Sequence, residues 1–439
     1  MTPPLQCRRR LKLLVSAYAC NPYRGSEHGV GWGWVTMIAR RHETWVLTAE
    51  FQRADIEREL EVRPELRRHL HFCYVPAKPW FYRPTNTWVF IENSPLKPIM
   101  NFVDSLWLRE AYKLAKRLHE EVHFDLAHQL TWVGFRFPGH LWKLDLPFVW
   151  GPIGGLENTP WRLLPLLGVQ GAAYYSIRNL INSAQKALLR NPKRAFRRAS
   201  NGIIAATDGI KAEILRCYGE QSEVICETGP PASGASRYCT RSANESLRIS
   251  WSGLHLPGKA LTLLLHGLQR LPSEVDWRLD ILGEGPCTFR WRAMAKRLGL
   301  DNRCTWHGWL PRADALHLIH RTHLFAITSL KDLTSTVLLE ALSQGVPVLA
   351  LDHCGFSTVI NHRCGITVPA ASADQIAEAF MDAIVRLWRD EPARQAMAAA
   401  ALNRAQEFSW ERKAEALEAI YSRVTTPDGA IGSGDLKSA

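Results

Sequence analysis

Short apolar runs alternate with amphipathic stretches along nearly the whole chain. Leu11–Ala17, Thr44–Thr48, Leu70–Val75, Leu126–His128, Pro147–Trp150, Gly202–Ala206 and Glu223–Glu227 each read as a brief strand bounded by polar or turn-forming residues. Between them the period lengthens to that of helices, most clearly over Asp104–Glu121 and Asp208–Tyr218. Apolar strands separated by helices predict a parallel sheet covered on both faces. The pattern stops at Gly229–Glu245, GPPASGASRYCTRSANE, whose Pro, Gly and Ser content predicts a linker. It resumes at Leu247 and runs to about Glu407, after which Phe408–Val424 predicts a last amphipathic helix and 425–439 a disordered tail. The expectation is two α/β domains, 1–228 and 246–407, facing each other across a cleft.

The densest local signal is Ser329–Ala350, SLKDLTSTVLLEALSQGVPVLA. His323–Ser329 predicts a buried parallel strand ending in a polar loop. Thr334, Ser335 and Thr336 then offer N-caps to a helix carrying Val337, Leu338, Ala341 and Leu342, closed by Gly345. A second strand is expected over Val346–Leu351, with Pro347 tolerated at its start. Such a unit aims the helix amides, with their partial positive charge, into the crevice at the strand ends, where a nucleotide diphosphate fits. Asp332 and Glu340 flank that position and can accept hydrogen bonds from sugar hydroxyls. On pattern alone, the same unit is one more βαβ turn of any α/β enzyme.

Composition sharpens this only in part. The 439 residues, 46% hydrophobic and 22% charged, are ample for two cores. The net charge of +12 is unevenly spread: Asn158–Thr207 has no acid but carries Arg162, Arg178, Lys186, Arg190, Lys193, Arg194, Arg197 and Arg198. Ile177, Leu180, Ile181, Ala184, Leu188 and Phe196 fall near helical spacing there. A basic amphipathic helix follows, suited to an anionic membrane surface or packed on its own domain. Tryptophans within Trp80–Trp107 add amphipathic anchors. No nucleic-acid motif accompanies the charge, so that partner is not expected. Ten cysteines without a C-x-x-C predict free thiols, a cytoplasmic setting and no metal framework. CRRRLKLLVSAYAC mimics a leader peptide, but Lys12 interrupts its apolar part, and a first strand is the better expectation. No run of eighteen apolar residues is present to span a membrane.

The second series opens with LRISWSGLHLPGKAL, a strand to Trp251, a turn at Ser252 and Gly253, and Lys259 near a helix start. A lysine there can meet a diphosphate. DILGEGP, Asp280–Pro286, runs from a strand into a glycine-rich turn around Glu284. In this order, Gly253…Lys259-Ala260, Gly283-Glu284-Gly285-Pro286, His307-Gly308 and Asp332…Glu340-Ala341 resemble the C-terminal domain of retaining glycosyltransferases of family 4. FSWERKAEALEAIY, Phe408–Tyr421, resembles that family's closing segment, which crosses back to the first domain. The N-terminal half is similar as well. Gly25-Ser26-Glu27 follows the first strand where the family has a Gly-Gly pair near the donor phosphates. His128 stands where the family places a histidine near donor sugar and acceptor. WGPIGG, Trp150–Gly155, looks like a loop of bacterial members that build surface polysaccharides.

The resemblance implies the GT-B fold, two Rossmann-like doubly wound domains with the helix 408–424 returning to the first. It implies transfer of a sugar from a UDP- or GDP-linked donor to a hydroxyl, with retained configuration and without metal or other cofactor. The implied acceptor is a lipid-linked oligosaccharide at the inner face of the plasma membrane. His128, Lys259, Asp332 and Glu340 take the catalytic positions. Gly25, Ser26, Ser252, Gly253, Glu284, Thr334, Ser335 and Thr336 take those around the donor. The chain departs from the pattern at four places: Leu254 stands for an arginine, with His255 a candidate substitute, and Asp332 for a glutamate. Leu333-Thr334-Ser335 replaces Gly-Phe-Gly, and Thr358 replaces a glutamate. These departures keep open a non-catalytic member serving as a membrane-surface assembly partner, and the shared fold keeps open a nucleotide-sugar epimerase. A nicotinamide oxidoreductase would need G-x-G-x-x-G; Gly29, Gly31 and Gly33 fail it because Trp34 takes the last place, although Glu50 lies at a fitting distance.

Overall fold

The computed structural model describes residues 9–76, 97–231, 234–235 and 237–426. The expected tail therefore lies outside the described residues from 427 onward, while Thr425 still belongs to the last helix. The first sheet holds β1 (Lys12–Ala17), β2 (Glu43–Ala49), β3 (Leu70–Val75), β4 (Leu126–Thr131), β5 (Phe148–Ile153), β6 (Ile203–Ala205) and β7 (Glu223–Val224) in the order 3-2-1-4-5-6-7. The second holds β8 (Leu247–Ser252), β9 (Trp277–Leu282), β10 (Cys304–Gly308), β11 (Leu324–Ile327), β12 (Val348–Asp352) and β13 (Gly365–Pro369) in the order 10-9-8-11-12-13. Every pairing between these strands is parallel. Strand order reverses beside β1 in one sheet and beside β8 in the other, so each has its crevice at a switch point, between β1 and β4 and between β8 and β11.

Helices cover both sheets. In the first domain these are α1 (Ser26–Ala39), α2 (Arg53–Val62), α3 (Lys97–Val122), α4 (Gly168–Leu188), α5 (Arg190–Arg198) and α6 (Asp208–Tyr218). In the second they are α7 (Leu261–Gln269), α8 (Thr288–Arg297), α9 (Arg312–His320), α10 (Thr336–Ser343), α11 (Phe356–Val359), α12 (Ala373–Arg389) and α13 (Glu391–Glu407), with α14 (Trp410–Thr425) following. Local chemistry fixes several ends. The Thr207 side chain accepts from the Ile210 amide to start α6, and Gly219 at φ 73° ends it. Ser372 and Gln375 form a reciprocal capping box on α12.

Each sheet is packed on both faces, giving four apolar clusters among the described residues. Leu13, Val15, Val46, Leu126, Val149 and Ile204 pack beneath α1 together with Leu417, Ile420 and Tyr421 of α14, so the last helix closes the first domain. Trp34 on α1 donates through Nε1 to the Glu227 carbonyl 2.8 Å away, and Lys413 on α14 donates to the Cys226 carbonyl at 2.7 Å. The segment leaving the first sheet is thus clasped from both sides. It leaves early: β7 ends at Val224, because Cys226 and Glu227 turn toward these partners and the second domain.

Candidate active site

The crevice of the second sheet opens between the loops after β8 and β11, which flank the switch point. After β8, Ser252 and Gly253 turn the chain, and Gly253 lies so close to the next loop that only a glycine fits at position 283. A Cβ on Gly283, at φ +99°, would stand 2.2 Å from the Gly253 carbonyl oxygen. The turn Pro257–Lys259 then delivers Lys259, whose Nζ meets Asp332 Oδ2 at 2.5 Å. Asp332 comes from the loop after β11, so the two acidic and basic candidates meet directly. Glu340 lies eight residues on, on α10, and is mostly buried. Arg312, at the start of α9, reaches it at 2.9 Å. Arg312 was not among the sequence candidates. Its signal is Leu310-Pro311-Arg312 just past the β10 end, where a helix start faces the crevice.

Around the α10 N-terminus the outcome differs from the expected side-chain cap. Ser335 precedes the helix at φ 71°, ψ 116°, and its hydroxyl caps nothing. That backbone disfavours residues with a Cβ, and it suits the glycine that the family resemblance implies at this position. Thr334 is wholly buried and already partnered: its amide donates to Glu227 Oε1 at 3.0 Å and its hydroxyl to Glu227 Oε2 at 2.8 Å. The Thr334 amide is therefore held by a carboxylate where an open phosphate donor was expected, which leaves the amides of Ser335 and Thr336 for an incoming anion. Thr336 is also tied in, since Thr228 Oγ1 lies 3.3 Å from its hydroxyl. Burial pushes the Glu227 carboxyl above its ordinary range, against the hydrogen bonds from Thr334. Glu227 was read only as a strand end; an acid closing an apolar run is the signal that a partner waits for it.

Two histidine expectations are corrected. His128 has no exposed surface. Its Nε2 donates to the Gly151 carbonyl at 2.8 Å and its Nδ1 accepts from the Tyr421 hydroxyl of α14 at 2.7 Å. Burial holds its pKa down to about 4, so it is a neutral ring that fastens the returning helix and does not face a sugar. His255 is likewise no stand-in for the arginine missing at Leu254. It is sealed among Trp251, Trp291 and Trp306, with ring centroids 5.0–5.9 Å away. Its Nδ1 bonds Thr288 Oγ1 at 2.7 Å, and burial lowers its pKa to about 4.

The first domain closes the other wall. Gly25 and Ser26 stand exposed at the start of α1, and Glu27 beside them accepts a hydrogen bond from the Val133 amide. Glu284 is exposed and lies over Gly308. Leu333 crosses to the first domain and presses on Gly154 in the Trp150–Gly155 loop, where a Cβ would sit 2.9 Å from the leucine methyl. Lys331 donates to the Glu157 carbonyl at 2.9 Å, and burial, reinforced by Arg178, lowers its pKa to about 8. Thr358 donates to Asp208 Oδ2 at 2.9 Å. The structure thus gathers Lys259, Asp332, Glu340, Ser335 and Thr336 at one crevice and leaves His128 out of it.

Comparison with known proteins shows what the chain is similar to. Residues 247–404, within the second domain, match the family described as glycosyl transferases group 1. A D-inositol 3-phosphate glycosyltransferase of Kribbella flavida is 25% identical over 247 residues, covering 52% of this chain and 57% of the relative. An O-antigen chain mannosyltransferase B of Escherichia coli is 25% identical over 224 residues, covering 48% of this chain and 57% of that protein. The chain thus spans little more than half the length of these curated relatives. Among solved structures, Anabaena HepE in complex with UDP-glucose superposes with a TM-score of 0.55 at 16% identity, over 94% of this chain and all of the other. The fold is that of the GT-B glycosyltransferases.

Proposed function

We propose that the chain is a retaining, metal-independent glycosyltransferase that moves a sugar from a nucleotide diphosphate, UDP- or GDP-linked, to a hydroxyl of a lipid-linked oligosaccharide in bacterial surface-glycan synthesis. The observation that carries the reading is the set of charged residues at the second switch point: Lys259 on Asp332, and Glu340 on Arg312, beside the amides of Ser335 and Thr336, which have no partner among the described residues. The relatives named for glycosyl transfer and the UDP-glucose complex of HepE support it.

In this mechanism the bond from the anomeric carbon to the diphosphate oxygen breaks and its electron pair stays with the diphosphate. Lys259 and the α10 amides stabilise that growing charge. Glu340 accepts from the nucleotide ribose and Asp332 from sugar hydroxyls, holding an oxocarbenium-like centre in place. The acceptor oxygen then bonds the anomeric carbon from the side the diphosphate leaves, and its proton passes to a diphosphate oxygen. Lys259 has three N–H donors, so it can keep Asp332 while reaching the diphosphate. The reading takes the cytoplasmic membrane face as the site of action. Among the described residues no helix is long and apolar enough to cross a membrane.

A second reading, a non-catalytic assembly partner, draws on Leu254, Thr358 and the Thr334 amide already bound to Glu227. Nucleotide release from UDP-, GDP-, ADP- and dTDP-sugars, with and without membrane extract and EDTA, separates the two. Release from one donor by the wild type, unaffected by EDTA and lost in Glu340→Ala, is the expected result. No release in any arm, with no donor raising the melting temperature, would favour the partner reading.

A further inference from the structure

The helix α4 is folded inside out. Its side toward the domain carries Tyr175, Asn179, Asn182 and Lys186, all buried. Asn179 exchanges two hydrogen bonds with the Thr159 backbone, at 3.0 and 2.7 Å. Asn182 donates to the Leu156 carbonyl at 3.1 Å; Lys186 donates to the same carbonyl at 3.0 Å and to Glu213 at 2.6 Å. The opposite face, at the matching helical spacing, holds Ile177, Leu180, Ile181 and Leu188, which are 59, 63, 51 and 76% exposed. A soluble helix ordinarily turns its apolar stripe to the core and its polar stripe to water. Here the polar stripe is satisfied internally, so the apolar stripe is left for something outside the chain.

Charge identifies that occupant. Immediately after α4, Arg190, Lys193, Arg194 and Arg197 are exposed, and none is ion-paired among the described residues. No acid occurs from Asn158 to Thr207. A second copy docked through the same stripe would bring these cationic clusters together with no acid of the segment to offset them. An anionic bilayer offers hydrocarbon to the stripe and phosphate to the basic residues in one plane. We infer that α4 and α5 form a docking face for an anionic lipid surface, with α4 lying in the interfacial plane and Ile177, Leu180, Ile181 and Leu188 inserted.

The helix meets the crevice through its buried side, behind the apolar stripe. The Tyr175 hydroxyl stands where a Cβ on Gly258 would be 2.6 Å away, and Gly258 directly precedes Lys259. A docked molecule would hold the donor loop behind α4, one helix diameter (~10 Å) from the surface where a lipid-linked acceptor would be found. That consequence alone rests on the proposed transfer reaction; the docking itself does not.

The test is flotation of the full chain with vesicles of roughly 30% phosphatidylglycerol in phosphatidylethanolamine, and with neutral phosphatidylcholine vesicles. Binding to the anionic vesicles that weakens with salt is expected, with none to the neutral ones. Moving two half-exposed aliphatic side chains out of the bilayer should cost about 30-fold in partitioning, so Leu180→Ser/Ile181→Ser should show that loss. Lys193→Glu/Arg194→Glu should remove the salt-dependent part. These positions are exposed, and unchanged thermal melts would show the variants fold. The inference falls if the wild type stays with the buffer at low salt, or if both double variants bind as it does. It also falls if sedimentation shows a dimer that Leu180→Ser/Ile181→Ser disperses, for then a second copy covers the face. Flotation needs no sugar donor, so its failure and that of the transferase reading are told apart.

Discussion

Glu227 offers the sharpest perturbation of the crevice. Its carboxylate is enclosed and receives both the amide and the hydroxyl of Thr334, one residue before the Ser335 turn that opens α10. Glu227→Ala removes both acceptors and leaves a buried N–H and O–H unpaired, each costing about 1–3 kcal/mol. Part of this is offset because a buried charge disappears too, so a net loss of about 2–4 kcal/mol is expected. Glu227→Gln separates the effects. Its carbonyl still accepts from the Thr334 amide, its NH2 can donate to the Thr334 oxygen, and the buried charge is gone. Burial raises the Glu227 carboxyl above the usual 4.5. A raised folded-state value stabilises the fold fully below the unfolded value, and that stabilisation is lost as pH rises through the folded value. Glu227→Gln should therefore match or exceed the wild type in denaturant melts at neutral pH, with the advantage shrinking toward pH about 4. Hydrogen exchange over residues 330–343 should quicken in Glu227→Ala and not in Glu227→Gln, and the donor KM should rise about tenfold only in the former. Wild-type stability and exchange in Glu227→Ala would refute the clasp.

Lys259→Ala and Glu340→Ala should each lower nucleotide release about 100-fold or more while leaving the melt near that of wild type, measured on whichever donor the panel selects. Ser335→Gly should stabilise the protein by about 1 kcal/mol in the same melts, because φ 71° strains a residue with a Cβ; a clear loss would mean the turn is held otherwise. His128 is kept neutral in the fold, with a pKa of about 4 against 6.5 when free. Its contribution is thus present above pH 6.5 and lost as pH falls toward 4, worth up to about 3 kcal/mol. His128→Asn should flatten the acid side of the stability profile, and an unchanged profile would count against that burial.

Much of the fold was legible because it rests on local chemistry. The ends of α6 follow from Thr207 and Gly219, and β3 from a bounded apolar run, so both fall where the pattern predicts. Lys259 and Asp332 were each legible as candidates on loops beside one switch point, but their direct ion pair was not. What escaped depends on partners far along the chain. His128 meets Tyr421 across 293 residues, and Glu227 meets Thr334 across 107. No window of sequence shows that a histidine after a strand will be sealed by the last helix. The period of α4 identified its stripe but not the direction it faces, since the stripe has the same spacing inward or outward. His255 had the right place for a phosphate ligand; three tryptophans from separate elements turned it into core.

The return of α14 carries a consequence for how the protein is made. Trp410 packs against Gly33 and Gly229, and Ala414, Leu417, Ile420 and Tyr421 complete a core whose other members lie mostly in the first half of the chain. During translation the first domain emerges before the second but keeps an open apolar seam until α14 has left the ribosome. For the whole time the second domain is synthesised, that seam is exposed to chaperones and to neighbouring nascent chains. A premature stop near residue 407 would spare the second domain yet leave the first with its seam permanently unsealed, so α14 decides whether a domain made long before it is closed.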